Sequence, residues 1–291
     1  MARSIAAGVV FVVACSRQPP PPAPPPPVVD AAPDVVTPVA IQDAAPPDLP
    51  PLEAASWLID LGDAKKKLGV LAPPLGARTR RPLMIALHGG SDRPEWACNA
   101  WARIAGGFPI LVCPRGIGGD SALAWSTPAD TRARVKAAVD ATKELYAKWI
   151  NDEVPIVLVG FSMGATQAAL LAQNDPKTYR RVALAESAYA PEPVMAFAKP
   201  WAEGGGERVI FLCTTPGCEG PYRNAAKNAA KQHVPARLNI AGTKDHGMWN
   251  DVVQSMKRDW GFLIEGAPGW EAAPKSEEEG LPGKTEVFEA K

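Results

Sequence analysis

The sequence predicts an α/β fold, a doubly wound and mostly parallel sheet, on three observations. Short apolar runs of five or six residues recur six times through the middle of the chain. A segment with helical patterning follows each of them. Several runs are apolar throughout, the pattern of strands covered on both faces. Helices packed on the two sides of a parallel sheet give such strands their cover.

The elements follow in chain order. Pro82 to Leu87 (PLMIAL) reads as a strand and Glu95 to Ala105 as the helix after it. Phe108 to Cys113 (FPILVC) is the next strand, and Pro128 to Ile150 the next helix, with Val135, Val139, Leu145 and Trp149 along it. Val154 to Val159 (VPIVLV) leads into Met163 to Gln173, rich in Ala and Leu. Arg181 to Ala185 (RVALA) precedes a helix at Pro193 to Ala202, and Arg208 to Cys213 (RVIFLC) one at Tyr222 to His233. Ala236 to Ala241 (ARLNIA) and the helix Trp249 to Ile264 close the series. About 20 residues, Ser187 to Gly206, separate the fourth and fifth strands. That is room for one helix rather than a lid domain, so an open cleft is expected.

Composition narrows the function. The chain has 291 residues, 46% hydrophobic and 21% charged, which suits a globular domain and argues against a mainly disordered chain. Its 31 basic and 31 acidic residues leave no net charge, so nucleic acid is not an expected partner. No apolar run reaches the roughly 18 residues of a membrane-spanning helix. Five cysteines and three histidines, with no CxxC and no HExxH, give no metal site, and no phosphate-binding or nucleotide fingerprint implies a cofactor.

The ends differ from the middle. Residues 1–15 carry one charge, Arg3, then an apolar stretch from Ile5 to Ala14, as a signal peptide does. The ending Val12-Val13-Ala14-Cys15 resembles a bacterial lipoprotein signal, in which the cysteine is lipidated. Ser16 follows Cys15, and in Gram-negative bacteria the resemblance implies sorting to the outer membrane. Residues 16–51 hold 14 prolines and read as an extended tether. Residues 52–264 form the expected α/β domain, with 26 basic against 20 acidic residues. Residues 265–291 include Glu277, Glu278 and Glu279 and read as a solvated, disordered acidic tail. The expected location is the cell envelope, by lipid anchor at the outer membrane, periplasm or surface, or secretion.

The sharpest motif is Gly160-Phe161-Ser162-Met163-Gly164, directly after a strand and opening a helix. In that context G-x-S-x-G is a nucleophile elbow, in which the turn exposes the serine and the glycines allow close chain approach. N–H groups at the start of the helix favour a developing oxyanion. A second motif, Leu87-His88-Gly89-Gly90-Ser91, ends the first strand 74 residues earlier. With these two motifs the sequence resembles the α/β-hydrolase superfamily, in particular small bacterial serine esterases of the dienelactone-hydrolase and polyhydroxybutyrate-depolymerase-like type.

The resemblance implies an α/β-hydrolase fold, a Ser-His-acid mechanism and a small acyl-ester substrate. It places one oxyanion donor on the His-Gly-Gly loop and the other on Met163. Gly89, Gly90 and Ser91 can each offer an N–H, and Gly90 is favoured. His88 reads as a loop-shaping residue. The catalytic histidine is expected after the last strand, where Asp245-His246-Gly247 stands, so His246 is the expected base. The acid stays open between Glu186, after the fourth strand, and Glu219, beyond the fifth, with Asp245 or no acid at all behind them. The usual early position after the fifth strand holds Thr214 and Thr215.

Once Cys15 is set aside, four cysteines remain, and outside the cytoplasm an even number favours two disulfides. Cys98–Cys113 and Cys213–Cys218 are the preferred pairs among three connectivities. Phe161 and Tyr189 are the expected substrate-lining aromatics. Two rival functions stand beside the esterase: a serine peptidase, and a non-catalytic, lipid-anchored binding or envelope protein on a hydrolase scaffold.

Overall fold

The computed structural model describes residues 48–120, 122–187, 191–243, 245–275 and 280–291. The lipidation site Cys15, the signal segment, nearly all of the tether, Tyr189 and Glu277 to Glu279 lie outside the described residues.

A hairpin of β1 (Ile59–Gly62) and β2 (Lys67–Ala72) comes first, then β3 (Arg81–Leu87), α1 (Pro94–Ile104) and β4 (Ile110–Pro114). A small separate hairpin, β5 (Ile117–Gly119) and β6 (Ala122–Ala124), leads to α2 (Pro128–Tyr146). The two-residue β7 (Ile150–Asn151), β8 (Val157–Phe161), α3 (Met163–Asn174) and β9 (Arg181–Ala185) follow. Next are α4 (Pro191–Ala196), α5 (Ala198–Glu203), β10 (Arg208–Cys213), α6 (Pro216–Lys231), β11 (Ala236–Ile240), α7 (Asp251–Ile264) and β12 (Lys284–Phe288).

The main sheet runs β1-β2-β4-β3-β8-β9-β10-β11-β12, with β7 pairing β3 off this path. The six strands from β4 to β11 in that order are parallel, and they are the six apolar runs of the sequence. β2 joins β4 antiparallel, and β12 joins β11 antiparallel. The strands are apolar throughout because both faces are covered. α1 and α7 pack one face around Trp101, Trp260 and Trp270, while α2 to α6 cover the other around Phe197, Trp201 and Tyr222. Parallel strands all end at one edge, so the loops after β3, β8, β9, β10 and β11 gather there. In open α/β sheets this carboxyl edge is where sites are built.

Three details depart from the sequence reading. Pro193 to Ala202 was expected as one helix and is covered by two short ones, α4 and α5. α6 begins six residues ahead of the expected Tyr222, because Cys218 and Tyr222 are buried together against the sheet and override the turn-like Pro-Gly-Cys-Glu-Gly-Pro. The tail is the third and largest correction. Ala267, Trp270 and Ala273 are buried, and β12 extends the sheet with Ala236 opposite Phe288 and Ile240 opposite Lys284. Its acidic residues find partners there. Arg223 makes a two-pronged contact to Glu286 at 2.6 and 2.7 Å, and Thr285 donates to the buried Asp259 at 2.7 Å.

Both expected disulfides are formed, Cys98–Cys113 tying α1 to β4 and Cys213–Cys218 closing the loop between β10 and α6. Each spans a Cα–Cα distance of 5.7 Å.

Candidate active site

Sheet register brings the motifs together. Leu87 of β3 lies opposite Gly160 of β8, Phe161 opposite Ala185 of β9, and Ala185 opposite Leu212 of β10. One step beyond these pairs stand His88, Ser162, Glu186 and the Cys213–Thr215 turn.

Ser162 adopts φ +53° and ψ −122°, a strained conformation for a residue with a side chain. Such strain costs on the order of 1–3 kcal/mol and persists only where its surroundings enforce it. Here the Ser162 N–H donates to the Ala185 carbonyl at 2.7 Å. A β-carbon on Gly160 would collide with the backbone of Gly164, and one on Gly164 with the Leu87 carbonyl. Only glycine fits at either place, which explains the spacing of the motif.

His246 Nε2 stands 2.9 Å from Ser162 Oγ, and His246 Nδ1 stands 3.8 Å from Glu186 Oε1. The Phe161 ring packs against the imidazole with centroids 4.8 Å apart. Of the two expected acids, the structure brings Glu186 to the histidine. Glu219 lies in the first turn of α6 and faces Arg223 at 3.5 Å, and among the described residues no hydrogen bond or ion pair joins it to His246.

Glu186 is fully buried and also has a positive φ, +53°. Two side-chain-bearing residues in this strained region thus end adjacent strands. The Glu186 N–H donates to the Leu212 carbonyl at 2.9 Å, and the Ser187 N–H to the Tyr222 hydroxyl at 2.6 Å. The carboxylate accepts from the Thr214 N–H at 2.6 Å, from the Thr215 N–H at 3.3 Å and from the Thr215 hydroxyl. Cys218 Sγ touches it at 3.0 Å. Burial pushes the Glu186 carboxyl up, but the facing His246 imidazole and the hydrogen bonds from Thr215 and Thr214 outweigh it and hold the group below the usual carboxylate range. Glu186, Cys213 and Cys218 are close enough to resemble a metal-ligand set, but the two sulfurs are joined as a disulfide and offer no thiolate.

Thr214 and Thr215 are the functional residues that sequence reasoning missed. They looked like the gap left by an absent acid. An acid at the end of one strand needs donors from the next, and they supply them.

The His-Gly-Gly loop is equally determined. The Gly89 N–H donates to Asp92 Oδ2 at 3.1 Å, and the Ser91 N–H to the Leu123 carbonyl at 2.7 Å. Among the described residues the Gly90 N–H donates no hydrogen bond, and a β-carbon on Gly90 would be 3.3 Å from Met163 Cε. The Met163 N–H, at the start of α3, likewise has no partner among them.

His88 is fully buried and shapes this loop. Its Nδ1 lies 2.7 Å from the Gly89 carbonyl, and its Nε2 accepts from the Gly116 N–H at 3.0 Å. The pair of contacts fixes a neutral ring with the proton on Nδ1. Trp125 packs on the ring and donates to the His88 carbonyl at 2.8 Å. Burial pushes the His88 imidazole below its ordinary value, a shift that its bond to Gly89 only partly offsets. The unfolded chain therefore binds the proton more readily as pH falls. Stability from this site is complete above the unfolded value near 6.5 and declines below it, by up to about 1.4 kcal/mol per pH unit. Urea midpoints of wild type should drop more between pH 8 and pH 5.5 than those of a His88→Gln variant, although the variant is the less stable at pH 8. Equal drops would show that His88 does not contribute.

Beside the Ser–His pair opens a cleft of about 500 Å³. Gly90, Phe161, His246, Met248 and the tryptophans Trp96, Trp101 and Trp249 line it. Phe161 was expected there. Trp96 was read only as part of a helix pattern.

A search of the curated proteins finds no match. Among solved structures the chain is similar to Est1E from Butyrivibrio proteoclasticus, with 14% identity, 72% of this chain and 98% of that one covered, and a TM-score of 0.52. It is also similar to an uncharacterised protein from Bacillus cereus, with 13% identity, coverage of 74% and 65%, and a TM-score of 0.52. At such identities the likeness is one of fold. A family model described as the alpha/beta hydrolase family matches residues 84–277. That match begins inside the strand before the His-Gly-Gly loop and ends beyond the helix after His246. It takes in every strand end that carries the site, and the chain belongs to the alpha/beta hydrolase family.

Proposed function

We propose that the protein is a serine hydrolase of carboxylic esters, with Ser162 as nucleophile, His246 as general base and then acid, and Glu186 as the carboxylate that orients the imidazole. The observation that carries this reading is the 2.9 Å contact of His246 Nε2 with Ser162 Oγ at a strained elbow.

The chemistry follows from the geometry. Glu186 favours the tautomer with the proton on Nδ1, which leaves Nε2 as acceptor for the serine proton. Ser162 Oγ attacks the ester carbonyl as its proton passes to Nε2. The N–H groups of Met163 and Gly90 then receive the oxyanion, and Glu186 stabilises the imidazolium across the 3.8 Å separation. Collapse of the tetrahedral intermediate expels the alcohol, which takes the proton from Nε2. Water, deprotonated by the same nitrogen, releases the acid and restores Ser162. The partnerless N–H of Gly90 supports its role, since its neighbours Gly89 and Ser91 have theirs engaged. Hydrolysis of ethyl butyrate by the full chain, followed by acid release, tests the reading; no turnover by folded protein contradicts it.

We also propose that Cys15 is lipidated and that residues 16–51 tether the domain to the cell envelope. The support is the sequence Val12-Val13-Ala14-Cys15 and the proline-rich stretch after it. Labelled palmitate supplied to expressing bacteria should enter wild type and not Cys15→Ser. Equal label in both contradicts the assignment.

A further inference from the structure

We propose that the cleft beside Ser162 receives an uncharged aromatic ring, carried on the acyl or the alcohol side of the ester, and that Trp96 and Trp249 select it. The inference rests on Ser162 being the nucleophile.

The two indoles are the reason. Large apolar side chains left in water are unfavourable, and a group of them rimming a cavity marks a binding surface. Trp96 is 59% exposed and Trp249 55%, and both border the same cleft. They arrive from different parts of the chain, one from the first turn of α1 and the other from the stretch between His246 and α7. Their shared position is a product of the fold.

Trp249 is also held in place. A β-carbon on Gly247 would overlap its six-membered ring at three atoms, so the indole lies directly against the glycine next to His246. Phe161 packs against the imidazole. The cleft therefore presents aromatic surface beside the reacting atoms as well as at Trp96 and Trp249. Aromatic rings gain from such surfaces through stacked and edge-on contacts beyond what buried area alone provides, whereas an alkyl chain gains only the area.

Charge sharpens the choice. Among the described residues the ionisable side chains lining the cleft are His246 and Asp92, while the Arg93 guanidinium stands outside that lining, over the Trp96 ring at 5.7 Å. An anionic ring would meet the Asp92 carboxylate inside the cleft, so the favoured ring is uncharged. The volume of about 500 Å³ falls in the ordinary range for a small-molecule pocket and accommodates a ring with a short spacer.

The test compares kcat/KM of the full chain on ethyl 3-phenylpropanoate, 3-phenylpropyl acetate, ethyl octanoate and ethyl butyrate. At least one of the aromatic esters should exceed both aliphatic esters by about tenfold or more. A carboxylate placed on that ring should remove the advantage. Trp249→Ala and Trp96→Ala should each lower the ratio of aromatic to butyrate turnover by about fivefold or more. Trp57→Ala, an exposed tryptophan away from the cleft, should leave that ratio unchanged. If octanoate matches the aromatic esters, or the ratio is the same in both cleft variants, the inference is wrong although the hydrolase reading stands. If no ester is turned over, that reading fails first. Quenching of tryptophan fluorescence by ethyl 3-phenylpropanoate in Ser162→Ala then decides the cleft: saturable quenching lost in a Ser162→Ala, Trp249→Ala double variant supports it, and no saturable quenching overturns it.

Discussion

Ester turnover should fall by about 10⁵-fold or more in Ser162→Ala, and by a similar factor in His246→Ala, with the double variant hardly worse than either single one. In the proposed mechanism the two side chains act as one unit. Without Oγ there is no covalent acyl-enzyme, and without Nε2 at 2.9 Å the hydroxyl keeps its proton and remains a poor nucleophile. A small residual rate is expected in each, because the Gly90 and Met163 N–H groups still receive an oxyanion formed by direct attack of water. Fold stability should hardly change in His246→Ala, since the imidazole is partly exposed. Steady-state kinetics on ethyl butyrate with matched circular dichroism spectra checks both points. Multiplying penalties in the double variant would show that the residues act separately.

Glu186→Gln should lower kcat by about 10³- to 10⁴-fold, the scale seen when a triad carboxylate is exchanged for its amide. The amide keeps the volume of the buried side chain but loses its charge. One of its two positions becomes an NH₂ donor, which conflicts either with His246 Nδ1–H or with the donors on Thr214 and Thr215. KM should move far less, because Glu186 is fully buried and does not border the cleft. Glu219→Gln should stay within about twofold of wild type, since Glu219 pairs with Arg223 on the surface of α6. The carboxyl of Glu186 lies below the usual range, so the group remains ionised at every pH above its ordinary value near 4.5. Any activity lost in wild type between pH 8 and pH 5 therefore has another origin. Equal losses in the two variants would refute the assignment of the acid.

The central sheet was legible because buried parallel strands cannot hide their composition. RVALA and RVIFLC match β9 and β10 residue for residue. The edge strands were not. β1, β2 and β12 mix charged with apolar residues, and their pairing depends on neighbours remote in sequence. β12 was read as tail because Lys284 and Glu286 look solvated, and only the fold supplies Arg223 as partner to Glu286 and Asp259 as partner to Thr285. The elbow and the His-Gly-Gly loop were legible for a different reason, namely that collisions at Gly160 and Gly164 force glycine there. The acid could not be settled from sequence, since the choice rests on which strand end faces His246. The irregular acid position was the motive for a non-catalytic reading. A buried, hydrogen-bonded Glu186 at 3.8 Å from His246 removes that motive. Of the cleft tryptophans, Trp249 stands three residues from His246 and was legible as an aromatic near the site, whereas Trp96 was hidden for the same reason as β12, since a helix pattern does not reveal which face remains uncovered.

One measurement tests the central claim most directly, namely reaction of the full chain with a fluorophosphonate followed by peptide mass mapping. The phosphonyl group should attach to Ser162 alone, stoichiometrically, in wild type and in Glu219→Gln. It should attach far more slowly in Glu186→Gln and not at all in Ser162→Ala or His246→Ala. A folded wild type that leaves Ser162 unlabelled, or one labelled equally well without His246, would contradict an activated serine at this site.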